Sequence, residues 1–109
     1  MVGLHAAVAK IARNTARLIE AGRELRDDEI VLDDRWHAGI YGIPDGKTVE
    51  AIRLAGRLEA MLTDPVYEGK SMAAMIDLVA SGEIGADSTV LYAHLGGQPA
   101  LSAYAALFT

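Results

Sequence analysis

Two short apolar runs of strand length, Ile30-Val31-Leu32 and Val90-Leu91-Tyr92-Ala93, stand on either side of two helical patterns. This alternation limits the architectures open to the chain. A run that is apolar on both faces, as 90–93 is, suits a strand covered from both sides, and strands separated by helices indicate parallel pairing. Two strands are too few for an independent sheet. The expected fold class is α/β: part of an open, mainly parallel sheet flanked by helices, and incomplete on its own.

The helical patterns follow from spacing. From His5 to Glu20 the apolar positions Val8, Ile11, Ala12, Thr15, Leu18 and Ile19 recur at helical intervals, and Gly22 supplies a stop. Gly39, Gly42, Pro44, Asp45 and Gly46 punctuate a loop. Thr48 then reads as the cap of a second helix, whose inner face carries Ala51, Ile52, Ala55, Leu58 and Leu62. That helix is expected to end near Thr63, because Pro65 disfavours a helical Asp64. A third helix is predicted over 69–81, with Met72, Met75, Ile76 and Val79 inward and Gly82 as its C-terminal stop. A last helix starts at Pro99.

A chain of 109 residues allows one small domain, 1–109, and surface scaling gives roughly 65% burial for such a size. With 51% hydrophobic and 23% charged residues, disorder is not expected, and some of the apolar surface calls for a partner. The net charge is −5, and the one basic stripe, Lys10, Arg13 and Arg17, is too small for a nucleic-acid footprint. The lack of cysteine removes disulfides, thiolate zinc sites and thiol nucleophiles, and agrees with a cytoplasmic protein. No apolar run approaches the ~20 residues of a membrane span, and the N-terminus has no signal-peptide pattern.

Three stretches could carry chemistry. His94-Leu95-Gly96-Gly97-Gln98-Pro99 would join a strand end to a helix N-terminus, where ligands sit in open α/β sheets. On its own it reads more simply as a tight turn, with His94 a packed histidine. Asp64 to Lys70 places the Tyr67 phenol beside the Glu68 carboxylate at a helix start, an arrangement that capping and partial burial also explain. Gly69-Lys70-Ser71 imitates the end of a phosphate loop, but Asp64 stands where that pattern needs glycine. Tyr41, with Trp36 and His37 nearby, is a third candidate, and loop aromatics covering a core edge account for it equally. Met61, Met72 and Met75 read as core filling, and His5 carries no expectation.

Taken together, Tyr41-Gly42-Ile43-Pro44, Glu50-Ala51-Ile52-Arg53-Leu54, the run MLTDPVYEGKSM over 61–72 and VLYAHLGGQPAL over 90–101 resemble one family, the 1-aminocyclopropane-1-carboxylate deaminases. Ile11-Ala12-Arg13-Asn14-Thr15-Ala16 resembles it too, so the likeness covers nearly the whole chain. It implies the C-terminal part of a tryptophan-synthase-β-like fold and an enzyme dependent on pyridoxal phosphate. Such an enzyme opens the cyclopropane ring of a small amino acid to release 2-oxobutyrate and ammonia. By the same resemblance, Tyr67 is the active-site phenol, Tyr41 a second tyrosine close by, and Glu68 the carboxylate facing the cofactor's ring nitrogen. Leu95 and Gly96 belong to the cofactor-binding loop. Tyr67 could transfer protons if its pKa were lowered.

The sister family, the D-cysteine desulfhydrases, typically has threonine at the positions of Glu68 and Leu95, so the deaminase ranks first. The chain departs from the deaminase pattern at Trp36-His37-Ala38-Gly39-Ile40 and at Leu58 and Ala60. The family's Schiff-base lysine, its serine and its phosphate loop have no counterpart here, and none of Lys10, Lys47 or Lys70 occupies the lysine's motif. Covalent cofactor binding by this chain is therefore not expected. The readings carried forward are a deaminase portion completed by an N-terminal chain, a desulfhydrase-like β-elimination enzyme piece, and a noncatalytic remnant that pairs as a homo-oligomer.

Overall fold

Neither apolar run pairs as a strand. In the computed structural model, which describes residues 2–109, every regular element among the described residues is helical. This overturns the expected α/β class and its tryptophan-synthase-β-like sheet. A lone extended segment leaves its ladder N–H and C=O groups unmatched, and neither run finds a neighbouring strand. Val31 and Leu91 are instead 81% and 94% exposed, while Tyr92 is held through its hydroxyl rather than by backbone pairing.

The chain divides into two compact units, one ending at Asp34 and the other formed by Arg35–Thr109. In the first, helix α1 (Val2–Leu18) ends before the expected glycine, with Glu20 at φ 52° already left-handed. Its covered side is His5, Val8, Ala9, Ala12, Arg13 and Ala16, whereas Ile11, Leu18 and Ile19 of the expected inner stripe are exposed. Polar tethers decide this orientation. The Arg13 guanidinium donates to the Leu25 carbonyl (3.0 Å) and to Asp27, and His5 Nε2 lies 2.8 Å from the Ile30 carbonyl oxygen. The chain between these acceptors includes a single 3-10 turn, Asp27–Glu29.

The second unit is built on the packing of helix α2 (Gly46–Glu59) against helix α3 (Glu68–Ser81). Asp45, not Thr48, caps α2. The Asp45 carboxylate accepts from the Thr48 backbone N–H (2.8 Å) and from its hydroxyl (2.7 Å), so the buried Thr48 completes the cap from inside the first turn. These bonds hold the Asp45 pKa below its ordinary value, the hydroxyl contributing most. α2 stops at Glu59, short of Thr63, because Ala60 turns left-handed at φ 53°. Leu58 and Leu62 consequently lie exposed rather than inward. The core is Ala51, Ala55, Met72 and Ala73, bordered by Trp36, Met61, Met75, Ile76 and Tyr92. Its small residues let the two helices approach closely. Gly82 ends α3 in the left-handed conformation, as its place in the sequence predicts.

The last helix takes 3-10 form over Gln98–Leu107, with a kink at Tyr104. It is fastened by side chains rather than by a buried face. The Tyr104 hydroxyl donates to the Gly42 carbonyl (2.6 Å), and the Arg53 guanidinium donates to the Leu107 carbonyl (2.8 Å). Trp36 is tied to α3 by a bond from its indole N–H to Asp77 (2.8 Å), a carboxylate that also accepts from Lys47. The lysine, and secondarily the indole, keep the Asp77 pKa low.

Gly69 of α3 lies in close contact with Ile52 of α2. A Cβ there would lie 2.7 Å from the Asp64 carbonyl oxygen and 2.8 Å from the Ile52 side chain. Gly69→Ala is expected to lower stability by about 1–3 kcal/mol through overpacking, measured as a fall in the urea midpoint at unchanged slope.

Candidate active site

The residues singled out by resemblance converge at the N-terminus of α3, and a carboxylate beneath them sets the local backbone. Asp64 has no exposed surface. Its Oδ2 accepts from the Val66 and Tyr67 amides (2.8 and 2.9 Å) and its Oδ1 from the Glu68 amide (2.9 Å). One side chain thus satisfies three donors of the helix entrance and places a negative charge at the positive end of α3. Burial alone would raise the Asp64 pKa, but the amides of Glu68, Tyr67 and Val66 more than offset it, and the net direction is down. The Gly69 amide closes the turn on the Asp64 carbonyl (2.7 Å).

The 94–97 loop lies directly on this carboxylate. A Cβ on Gly97 would sit 2.6 Å from Asp64 Oδ1, and Gly97 has φ 94°, so glycine is required both by space and by conformation. The loop in turn holds Glu68, which is 7% exposed. Oε1 of Glu68 accepts from the Leu95 amide and from the Gly96 amide (2.9 Å). Oε2 is buried with no hydrogen-bond partner, although His94 Nε2 stands 2.9 Å away. The Tyr92 hydroxyl donates to the Glu68 carbonyl (2.9 Å) and lies 2.7 Å from Ser71 Oγ, which also donates to that carbonyl (3.0 Å). Burial raises the Tyr92 pKa, with the charges of Glu68 and Asp64 adding and the Ser71 bond opposing.

Tyr67 and Tyr41, far apart in sequence, share a hydrogen bond between their hydroxyls. Their rings meet edge to face with centroids 6.0 Å apart. The pKa of Tyr67 is raised, first by this bond and the Tyr41 charge, then by partial burial and the charge of Asp64. At neutral pH Tyr67 is a phenol able to donate, not the phenolate that a lowered pKa would make it. All five predicted site residues, Tyr41, Tyr67, Glu68, Leu95 and Gly96, therefore lie around the start of α3. Trp36 and His37 do not join them as chemical groups: Trp36 borders the core, and His37 accepts the Gly39 amide through Nδ1. Lys70 donates to the His37 carbonyl (2.9 Å).

Asp64, Ser71, Tyr92 and His94 were not singled out as site residues from the sequence. Asp64 carried one legible signal, an acidic residue four positions before a helix start. The others act through partners 21 to 32 residues away, which no local pattern reports. A concavity of about 740 Å³ along α2 and α3, lined by Lys47, Glu50, Arg53, Leu54, Arg57 and Ile76 among others, contains none of the five residues. Among the described residues, no helix is long and apolar enough to cross a membrane.

No family model matches the chain. Individual relatives do. The chain is 59% identical over 101 residues, 93% of its length, to a probable 1-aminocyclopropane-1-carboxylate deaminase of Cryptococcus neoformans. It is 59% identical over 103 residues, 94% of its length, to a 1-aminocyclopropane-1-carboxylate deaminase of Pseudomonas syringae. A third relative of the same name, from Burkholderia ambifaria, is 58% identical over 104 residues, 95% of the chain. The chain spans 29 to 31% of the length of these proteins, and the matched stretch is their C-terminal part.

The Asp64 cage has a pH signature. A carboxylate whose folded pKa is depressed stabilises the fold fully above the unfolded value of about 3.9 and loses that contribution as the pH falls through the folded one. Asp64→Asn is expected to cost about 1–3 kcal/mol at pH 7, through the lost acceptor and charge. The gap to the unsubstituted chain narrows below about pH 4, as followed by urea unfolding at stepped pH.

Proposed function

We propose that this chain, homologous along almost its whole length to the C-terminal part of 1-aminocyclopropane-1-carboxylate deaminases, furnishes one wall of such an enzyme's active site. One observation carries the reading. The Glu68 carboxylate is buried and clamped through Oε1 by two backbone amides, while its second oxygen lacks a donor and the Tyr67 phenol follows directly from the preceding residue. A buried carboxylate oxygen with unfilled acceptor capacity suits a protonated ring nitrogen, which is the donor that pyridoxal phosphate carries. Bound there, the cofactor would supply an electron sink for the reaction. Glu68 holds the ring-nitrogen proton. Leu95 and Gly96 fix the carboxylate through their amides, and the exposed Leu95 side chain offers apolar surface beside it. Tyr67, kept protonated by Tyr41, donates to the substrate, with Tyr41 as its hydrogen-bonded relay.

The remaining parts of the site, the Schiff-base lysine and the phosphate loop, come in this reading from the region corresponding to the N-terminal part of the relatives, and the protein acts in the cytoplasm on a small amino acid. Among the three lysines, Lys47 and Lys70 are engaged with Asp77 and with the His37 carbonyl.

Mixing the chain with the separately produced N-terminal two-thirds of the Pseudomonas syringae relative and pyridoxal phosphate is expected to release 2-oxobutyrate from 1-aminocyclopropane-1-carboxylate, with neither piece active alone. Glu68→Gln and Tyr67→Phe should each lower that rate on the order of 10²-fold or more. Association without 2-oxobutyrate release would defeat the reading, and sulfide from D-cysteine in its place would favour the β-elimination alternative. Sedimentation of the chain alone as a stable oligomer, with no binding to the N-terminal piece, would favour a noncatalytic role.

A further inference from the structure

Both oxygens of Glu68 have a place in the site described above, but the imidazole beside them does not. His94 Nε2 lies 2.7 Å from the Leu62 carbonyl oxygen and 2.9 Å from Glu68 Oε2. Both neighbours are acceptors. A bare nitrogen lone pair would face two further lone-pair groups at contact distance, so Nε2 must carry the hydrogen. One N–H cannot point straight at two oxygens, and its hydrogen bond is made to Leu62 while Oε2 lacks a partner. The imidazole is three-quarters covered, with its side chain 25% exposed, so water competes only weakly for that hydrogen. The residue directly following it, Leu95, donates its amide to the other oxygen of the same carboxylate. Glu68 is therefore gripped on Oε1 by the backbone of the loop and faced on Oε2 by the side chain at the loop's start.

We propose that His94 is a positioning residue for Glu68: its Nε2–H, anchored on the Leu62 carbonyl, fixes the plane of the carboxylate so that Oε1 stays on the Leu95 and Gly96 amides. The anchor comes from the segment that follows α2, while Glu68 opens α3, so the ring bridges the two segments. This deepens the functional reading, since Glu68 is the group it serves, but the test requires neither cofactor nor substrate.

The test is NMR on the 109-residue chain. In the unsubstituted protein the ring should show a protonated Nε2, with a correlation across the hydrogen bond to Leu62. His94→Leu should shift the Leu95 and Gly96 amide protons and the Glu68 carboxyl carbon while the α2 and α3 amides stay in place. His94→Gln, which returns an N–H near the position of Nε2, should restore them. A bare Nε2, unmoved Leu95, Gly96 and Glu68 signals in His94→Leu, or no restoration by glutamine would each overturn the proposal. If His94→Leu does not fold, the tautomer and the glutamine variant decide it. An inactive mixture with the N-terminal piece, alongside the expected NMR result, would count against the deaminase reading and leave the role of His94 standing.

Discussion

The buried carboxylate of Asp64 is the interaction on which the rest of the second unit depends. A helix entrance leaves amide donors without intrahelical partners, and here three of them converge on one side chain whose own burial is tolerable only because they do. The same carboxylate is the surface on which Gly97 rests, and its carbonyl receives the Gly69 amide. Removing it would disturb the start of α3, the α2–α3 approach and the 94–97 loop together. That coupling places Tyr67 and Glu68 on a rigid support, which a preorganised site needs.

From this support the site is assembled by backbone as much as by side chains. Glu68 reaches outward to the loop's amides while its own carbonyl is bound by Tyr92 and Ser71, so the helix start and the loop are joined from both ends of one residue. The positive φ values of Gly96 and Gly97 turn the loop so that successive N–H groups face the carboxylate. The tyrosine pair adds a donor whose proton is held more tightly than in an isolated phenol. Around these groups Leu62, Leu91 and Leu95 lie exposed, an apolar setting that a partner chain would cover in the reading proposed above.

The sequence reading was most dependable where the signal was local. The glycine at 82 marks the end of α3, and the apolar spacing finds α2 and α3 with ends a few residues out. Tyr41, Tyr67, Glu68, Leu95 and Gly96 stood in stretches that local pattern marked as able to carry chemistry, and the roles expected of them came from the long matched runs. The inner face of α1 was misread because Arg13 and His5, polar residues absent from any hydrophobic count, determine which side is covered. The two apolar runs were misread as strands for a related reason: strand character needs a partner, and composition records apolarity without recording pairing.

The sequence alone therefore determined three helical segments, the absence of thiol chemistry and the kinship with the deaminases, and it supplied Tyr41, Tyr67, Glu68, Leu95 and Gly96 as candidates for a site. Each of these rests on residue type, spacing or long local runs. Tertiary structure alone decided that no sheet forms among the described residues, that Asp64 organises the entrance to α3, that Tyr41 meets Tyr67, and that His94 and Tyr92 attend on Glu68. Those outcomes depend on contacts between residues more than twenty positions apart, whose energies come from burial and from hydrogen-bond geometry that a linear pattern does not contain.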